Sequence, residues 1–337
     1  MDNFTHSLTG YVLARAGLDR FSPRAAVLLV LAANAPDLDI LFLTQGGLPY
    51  FEAHRGYSHS VLLLPFMALL TVVVTAGLFR QRLPWFKAWL ICCLGVASHL
   101  LIDWTNNYGI RLALPVSSRW FHADLNSLYD VWILLALLFG LVWPLFSRLV
   151  SSEIGARSRT QRGAAAFALC FFFFFDCGRA FLHSQAVRQL ESRLYDGEQP
   201  FKTAAFADPF SPLDWTGVVE TERASLRVPV HSFSDLDPTA AIRYFKPDLT
   251  LAIETVKSRP EFAYMSYFSR FPVWSVALLD TGQEQGRRIE LTDLRFGTPG
   301  AGAFHCIATL DASGHVRDSW FTYGSGRELG WEIGGQR

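Results

Sequence analysis

The sequence predicts a mainly α membrane domain of about six helices, followed by a smaller β-rich or α+β extramembrane domain. Three observations lead there. Half of the 337 residues are hydrophobic and only 18% are charged, whereas soluble domains carry about 25% charge. The long apolar runs all fall in the first half of the chain. Beyond it, short alternating stretches separated by turn residues take over. The expected domains are therefore 1–182, multi-helical, and 183–337, β-rich, and the length suits roughly two domains.

Each helix follows from its run. Phe4–Gly17 is too short to cross a bilayer fully, so it is expected to pack against its neighbours. Crossing takes about 20 mostly apolar residues. Arg24–Leu43 nearly reaches that length and ends in Pro36-Asp37-Leu38-Asp39. Ser60–Phe79, Trp85–Trp104 and Val131–Val150 meet it fully, and Gly163–Leu182, with its Phe171–Phe175 block, nearly does. Any one run could be a buried helix of a soluble core; so many in so short a stretch favour the bilayer.

In the second half, Val218–Val230 and Ile289–Phe296 alternate, and Phe304–Leu310 and Val316–Tyr323 flank Asp311-Ala312-Ser313-Gly314 as hairpin arms would. Trp215, Phe271-Pro272-Val273-Trp274 and Asp293-Leu294-Arg295-Phe296 read as core and turn residues, and no catalytic motif stands out there.

Other classes recede. Formal net charge is zero, which gives no reason to expect nucleic acid. Five scattered cysteines without a CxxC pair argue against a disulfide framework or a thiolate metal site. The first 14 residues hold no Lys or Arg, so a cleavable signal peptide is not expected.

Basic loops set the expected direction. Arg15, Arg20 and Arg24, then Arg80, Arg82 and Lys87, then Arg148, Arg157, Arg159 and Arg162 fall on one side; only Arg55, Arg111 and Arg119 fall on the other. The basic side is expected to be cytoplasmic. The chain would then be a multi-pass protein of a bacterial inner membrane, with residues after 182 on the outer, periplasmic face.

That direction brings polar residues from several segments to one level. His6 opens the first helix, Asp37 and Asp39 end the second, His54 and His59 precede the third, and His99 and Asp103 end the fourth. His122, Asp124 and Asp130 precede the fifth. All would lie in the outer layer. His99 and Asp103, four apart, share one helix face. Imidazole and carboxylate without thiolate suit zinc, manganese or iron. Ionisable groups at membrane depth are costly and mark functional sites.

The expected metal ligands are therefore His6, Asp37, Asp39, His54, His59, His99, Asp103 and Asp124. His54 and Arg55 have a second reading, as groups that hold a substrate anion, since guanidinium suits phosphate or carboxylate. Bland readings stand beside these: a cap for His6, a turn for Asp37 and Asp39, an aromatic belt for His122, a helix N-cap for Asp130. His183, His231, His305 and His315 read as surface or structural residues.

Four stretches carry a family resemblance: Thr5-His6-Ser7-Leu8-Thr9-Gly10, Pro36-Asp37-Leu38-Asp39, His54-Arg55-Gly56-x-x-His59-Ser60 and Ser98-His99-Leu100-Leu101-Ile102-Asp103-Trp104. Together they resemble the YdjM-like family of inner-membrane-associated metal-dependent hydrolases, over roughly residues 1–180. The His-x-x-x-Asp helix is also distantly similar to the zinc-dependent phospholipase C group. That likeness implies zinc, one to three ions, on His6, Asp37 or Asp39, His59, His99 and Asp103, with one aspartate orienting or deprotonating water. The group's downstream His and His-x-x-x-Glu ligands have no clean equivalent; His122 and Asp124 are nearest.

The expected function is metal-dependent hydrolysis of a phosphoester or other ester, with a lipid-derived substrate favoured only by the headgroup depth of the site and membrane lipids as the surroundings. A His/Asp transporter and a non-catalytic scaffold with a structural metal are the rivals. Clustering at one face, rather than along a path across the bilayer, disfavours transport.

Overall fold

A computed structural model describes residues 1–153, 162–247, 251–280 and 285–323. Arg157 and Arg159 of the expected basic loop lie outside these. The chain forms two compact units. One comprises 1–40, 53–184 and 207–214; the other comprises 41–52, 185–206 and 215–337.

The first unit is helical. Helix α1 (Asn3–Arg15) starts at Asp2, whose carboxylate accepts from the Phe4 and Thr5 N–H groups, satisfying donors that a helix start leaves free. Its 13 residues extend about 20 Å, short of a hydrocarbon core of about 30 Å. Helix α2 (Ala25–Asn34) gives way to a 3-10 segment, Pro36–Gln45, bent by 49°. Pro36 brings no N–H and its ring obstructs the preceding turn, so the single predicted run Arg24–Leu43 is broken there. Helix α3 (Gly47–Ala53) and a short turn Tyr57–His59 lead to α4 (Leu64–Phe79), a 92° bend. Then come α5 (Trp85–Thr105), α6 (Val131–Glu153) and α7 (Arg162–Glu191).

Among the described residues, three helices are long and apolar enough to cross a membrane, α5, α6 and α7, or up to five spans if each bent pair counts as one. Three to five candidate spans do not confirm the expected count of about six helices.

Close packing sets the helix positions. A Cβ at Gly10 would come within 2.5 Å of the Leu29 carbonyl oxygen, and one at Gly95 within 2.8 Å of the Ala32 Cβ. Only glycine lets α1 and α5 approach α2 so nearly, as small residues do in membrane bundles. Leu28, Leu29, Val72, Ile91 and Val96 fill one core; Leu8, Val12, Ile102, Ile133 and Leu137 fill a second. These cores bring the start of α1 and the ends of α2 and α5 together.

The second unit carries two four-stranded antiparallel sheets, β1 to β4 and β5 to β8, each in sequence order. The first holds β1 (Lys202–Ala207), β2 (Asp214–Glu220), β3 (Ala224–His231) and β4 (Ile242–Phe245). Helices α8 (Leu251–Lys257) and α9 (Pro260–Phe268) follow, then β5 (Pro272–Asp280), β6 (Gln285–Asp293), β7 (Phe304–Leu310) and β8 (Val316–Tyr323). The hairpin read around Asp311–Gly314 is present, with Leu310 opposite Val316 and Gly314 in the left-handed region at φ 86°. The alternating stretch Val218–Val230 is two strands, because Thr221 N–H donates to the Ala224 carbonyl and turns the chain. Trp215, Phe271, Val273 and Leu294 are buried.

Candidate metal centre

His99 is fixed by its helix and by one carbonyl. Its Nδ1 lies 2.7 Å from the Ala33 oxygen. An oxygen there accepts, so Nδ1 carries the proton and the Nε2 lone pair is aimed away, the usual arrangement for a metal-binding imidazole. His59 is set the same way: its Nδ1 meets Ser58 Oγ at 2.9 Å, and Ser58 Oγ donates in turn to Asp39 Oδ2 at 3.4 Å. Both imidazoles are fully buried.

The two Nε2 atoms then face each other at 3.1 Å. Around them stand carboxylate oxygens. Asp37 Oδ1 is 3.5 Å from His59 Nε2 and 3.7 Å from His99 Nε2, and Asp103 Oδ2 is 3.5 and 3.4 Å from the same two atoms. Two lone pairs and two carboxylates converging without a shared hydrogen repel one another. A cation relieves that. Four donors about 2.0–2.1 Å from a tetrahedral zinc lie about 3.3 Å apart, close to the five separations here. Asp37 Oδ2 and Asp103 Oδ2 have no hydrogen-bond partner, so their lone pairs remain unspent. The donor set fits a divalent ion.

A second group, Asp37, Asp39 and His54, shares Asp37 with the first. Asp39 lies 3.2 Å from His54 Nδ1 and accepts from the Arg55 N–H at 2.9 Å. The His54 side chain is 18% exposed and that of Asp37 13%, so the centre opens at this end.

His6 stacks on His99 with ring centroids 3.8 Å apart, and its Nε2 is 3.4 Å from Asp103 Oδ1. Neither of its ring nitrogens has a hydrogen-bond partner, yet it belongs to neither four- nor three-residue group. Arg55 faces inward. It donates to Asp103 Oδ1 at 2.9 Å, to Asn106 Oδ1 at 3.0 Å and to the Gly109 carbonyl at 3.3 Å, with its guanidinium over the Tyr108 ring. Those contacts position Asp103. Asp124 is buried beside His122, at 3.5 Å, and outside both groups. Asp130 caps α6 through the Trp132 and Ile133 N–H groups and pairs with Arg179 at 3.1 Å.

Several supporting residues escaped the sequence reading. Asn106 ends α5 and bridges Arg55 to Asp103; its place directly after the His99/Asp103 helix was the available signal. Ser58 links His59 to Asp39. Asn126, Asp176 and Arg179 form a further buried polar network with Asp130. Its signal was the charged pair Asp176 and Arg179 inside an apolar run, which is costly unless partnered.

Long apolar helices with a buried, cation-ready His/Asp cluster at their ends define a membrane protein with a candidate metal centre. The chain belongs to the YdjM inner membrane protein family, whose pattern matches residues 1–185. It is also similar to "Uncharacterized protein YfhP" of Bacillus subtilis (strain 168), 28% identical over 146 residues, which is 40% of this chain and 44% of that protein. The chain thus spans less than half the length of that relative. No solved structure matches.

Proposed function

We propose that this protein is a membrane-bound metal-dependent hydrolase acting on a phosphoester or other ester at the outer membrane face, a lipid-derived one being favoured by the depth of the site. The observation that carries the reading is the set of donor separations, 3.1 to 3.7 Å, among His59, His99, Asp37 and Asp103. Zinc is the first choice of ion, with manganese or iron as alternatives, and the two overlapping groups make room for more than one, within the expected one to three. Such an ion polarises a substrate oxygen and acidifies water. The chain's own residues do the rest. Asp39, turned by the Arg55 N–H and Ser58, stands at the more exposed end, where it accepts a proton; His54 beside it shares that proton. Arg55 holds Asp103 in place.

The reading places the chain in a bacterial inner membrane, multi-pass, with the second unit periplasmic and lipids as its surroundings. No nucleic acid is involved. A structural metal in a non-catalytic scaffold is the second reading, favoured by one observation: His59, His99 and Asp103 are all fully buried, and structural sites supply every ligand from protein.

Metal analysis of the purified full chain is the test. Stoichiometric metal in the wild type, lost in the His99→Ala/Asp103→Ala variant, supports the centre; no metal in either sinks it. Metal without turnover on a broad panel of phosphoesters and lipids shifts the reading to the scaffold. A reporter fused after residue 185 is expected to score as external, and a cytoplasmic score reverses the orientation.

A further inference from the structure

The chain leaves the helical unit after Ile40 and re-enters it at Ala53; the intervening residues 41–52 belong to the second unit. Their anchorage there is aromatic. Phe51 is 1% exposed. It stacks on Phe321 of β8 with centroids 4.4 Å apart, and meets Tyr264 and Phe268 of α9 edge-on at 4.9 and 5.0 Å. Tyr264 Oη donates to the Glu52 carbonyl at 3.3 Å. Aromatic pairs at these separations and angles attract beyond their buried area, so α3 is pinned from two elements.

The ends of this segment are metal-site residues. Asp39 precedes it, and His54 and Arg55 follow it. They clasp its base: the Arg55 N–H donates to Asp39 Oδ2 at 2.9 Å, and His54 Nδ1 is 3.2 Å from the same oxygen. Arg55 takes φ 53°, a left-handed conformation that non-glycine residues hold only when their surroundings impose it. His99 lacks this dependence on α3: it is oriented by the Ala33 carbonyl and shares α5 with Asp103.

We propose that Phe51 is a positioning residue for the Asp37/Asp39/His54 half of the metal centre. The packing of α3 on β8 and α9 sets where His54 stands relative to Asp39. That packing thereby sets the occupancy of the more exposed half, whereas His99 is held by α2 and α5. This rests on the reading that both groups take metal.

Zinc binding to the full-length protein in detergent, followed by equilibrium dialysis, tests it. The wild type is expected to bind two zinc ions, and His54→Ala one. Phe51→Ala and Phe321→Ala are each expected to lose one zinc ion, or to bind it at least about tenfold more weakly, the loss seen when the support of a ligand is removed. Phe51→Leu, which keeps the site filled, is expected to restore much of it. Val218→Ala serves as the control: it truncates a core residue of β2 away from this aromatic cluster, and is expected to keep both ions. If Val218→Ala loses zinc as Phe51→Ala does, general destabilisation explains the loss and the inference is overturned. It is also overturned if Phe51→Ala and Phe321→Ala keep both ions, or if the wild type binds one ion that His54→Ala leaves in place. A wild type without zinc overturns the metal reading itself, and this inference with it.

Discussion

Two buried polar clusters lie in the helical unit, and they are solved differently. Around Asp130 the protein supplies its own cation. Arg179 pairs with Asp130 at 3.1 Å and donates to the carbonyls of Leu125, Asp208 and Ser211, while Asn126 donates to Asp176 at 2.9 Å. Around His99 the chain's donors converge on a single oxygen: Arg55, the Met1 ammonium and the Asn106 amide all donate to Asp103 Oδ1, while Asp103 Oδ2, Asp37 Oδ2 and both His6 nitrogens have no hydrogen-bond partner. Burying charge costs several kcal/mol per ion unless it is paired. Both clusters keep buried atoms without a hydrogen-bond partner, Asn126 Oδ1 in the first and Asp37 Oδ2 and Asp103 Oδ2 in the second. What differs is that Asp130 faces Arg179, while the facing Nε2 atoms of His59 and His99 meet carboxylate oxygens, and that asymmetry separates a framework from a site.

The sharpest way to break this contrast is to alter each cluster by one atom type. Asp103→Asn keeps shape and removes the charge that faces His59 and His99. Loss of a direct ligand is expected to weaken metal binding by more than about 100-fold, beyond the 10–100-fold typical of supporting residues. Metal competition with a chromophoric chelator measures it; unchanged affinity would mean that Asp103 is paired to Arg55 and nothing more.

Arg179→Met does the opposite. It leaves Asp130 buried without its partner, which is expected to destabilise by about 3–5 kcal/mol, while metal affinity in the folded fraction stays the same. Asp130→Asn combined with Arg179→Met is expected to recover much of the loss, since apolar or neutral replacement of a whole buried pair is often tolerated. Thermal inactivation of the detergent-solubilised protein reads the stability, and chelator competition the affinity. A fall in metal affinity with Arg179→Met would merge the two clusters into one.

The same contrast explains what the sequence could disclose. His99 and Asp103 sit on one helix face at a spacing that periodicity reveals, and His59 and Asp37 fall at the ends of apolar runs that length alone defines. These four come together in one group. What stayed hidden depends on direction rather than spacing. Nothing in the order of residues tells that Arg55 turns inward to Asp103, that a backbone carbonyl at Ala33 orients His99, or that Asp124 pairs with His122 outside both groups. The break at Pro36 was visible as a proline but not as a bend of 49°. In the second half, the hairpin at Asp311–Gly314 was legible because its turn residues and alternation agree. Strands β1 and β4, and helices α8 and α9, were not, since segments of four to nine residues are fixed by tertiary packing more than by local preference.

A smaller effect probes the supporting layer of the metal centre. Ser58 relays between His59 Nδ1 and Asp39. Ser58→Ala frees the His59 ring to rotate or change tautomer, and is expected to weaken metal binding by about tenfold with the fold intact. An affinity equal to the wild type would show that burial alone orients His59.

The smallest expected effect lies in the second unit, where a His/carboxylate contact also occurs and the carboxylate accepts from other protein groups. Burial alone would raise the Glu290 carboxyl. His305, 2.9 Å away, together with the Gly300 N–H and Thr292 hydroxyl, outweighs burial and holds it below the usual range. A carboxyl lowered by folding contributes stability that is fully present above its unfolded value, about 4.3, and is lost as pH falls through the folded value. The wild type is therefore expected to exceed Glu290→Gln in stability by a constant margin from pH 6 to 8, with the margin shrinking below about pH 4.3. Hydrogen exchange of β6 and β7 at each pH measures this locally. A margin that instead grew on acidification would mean that Glu290 is strained by its burial, and that this pair resembles the metal centre more than the Asp130 framework.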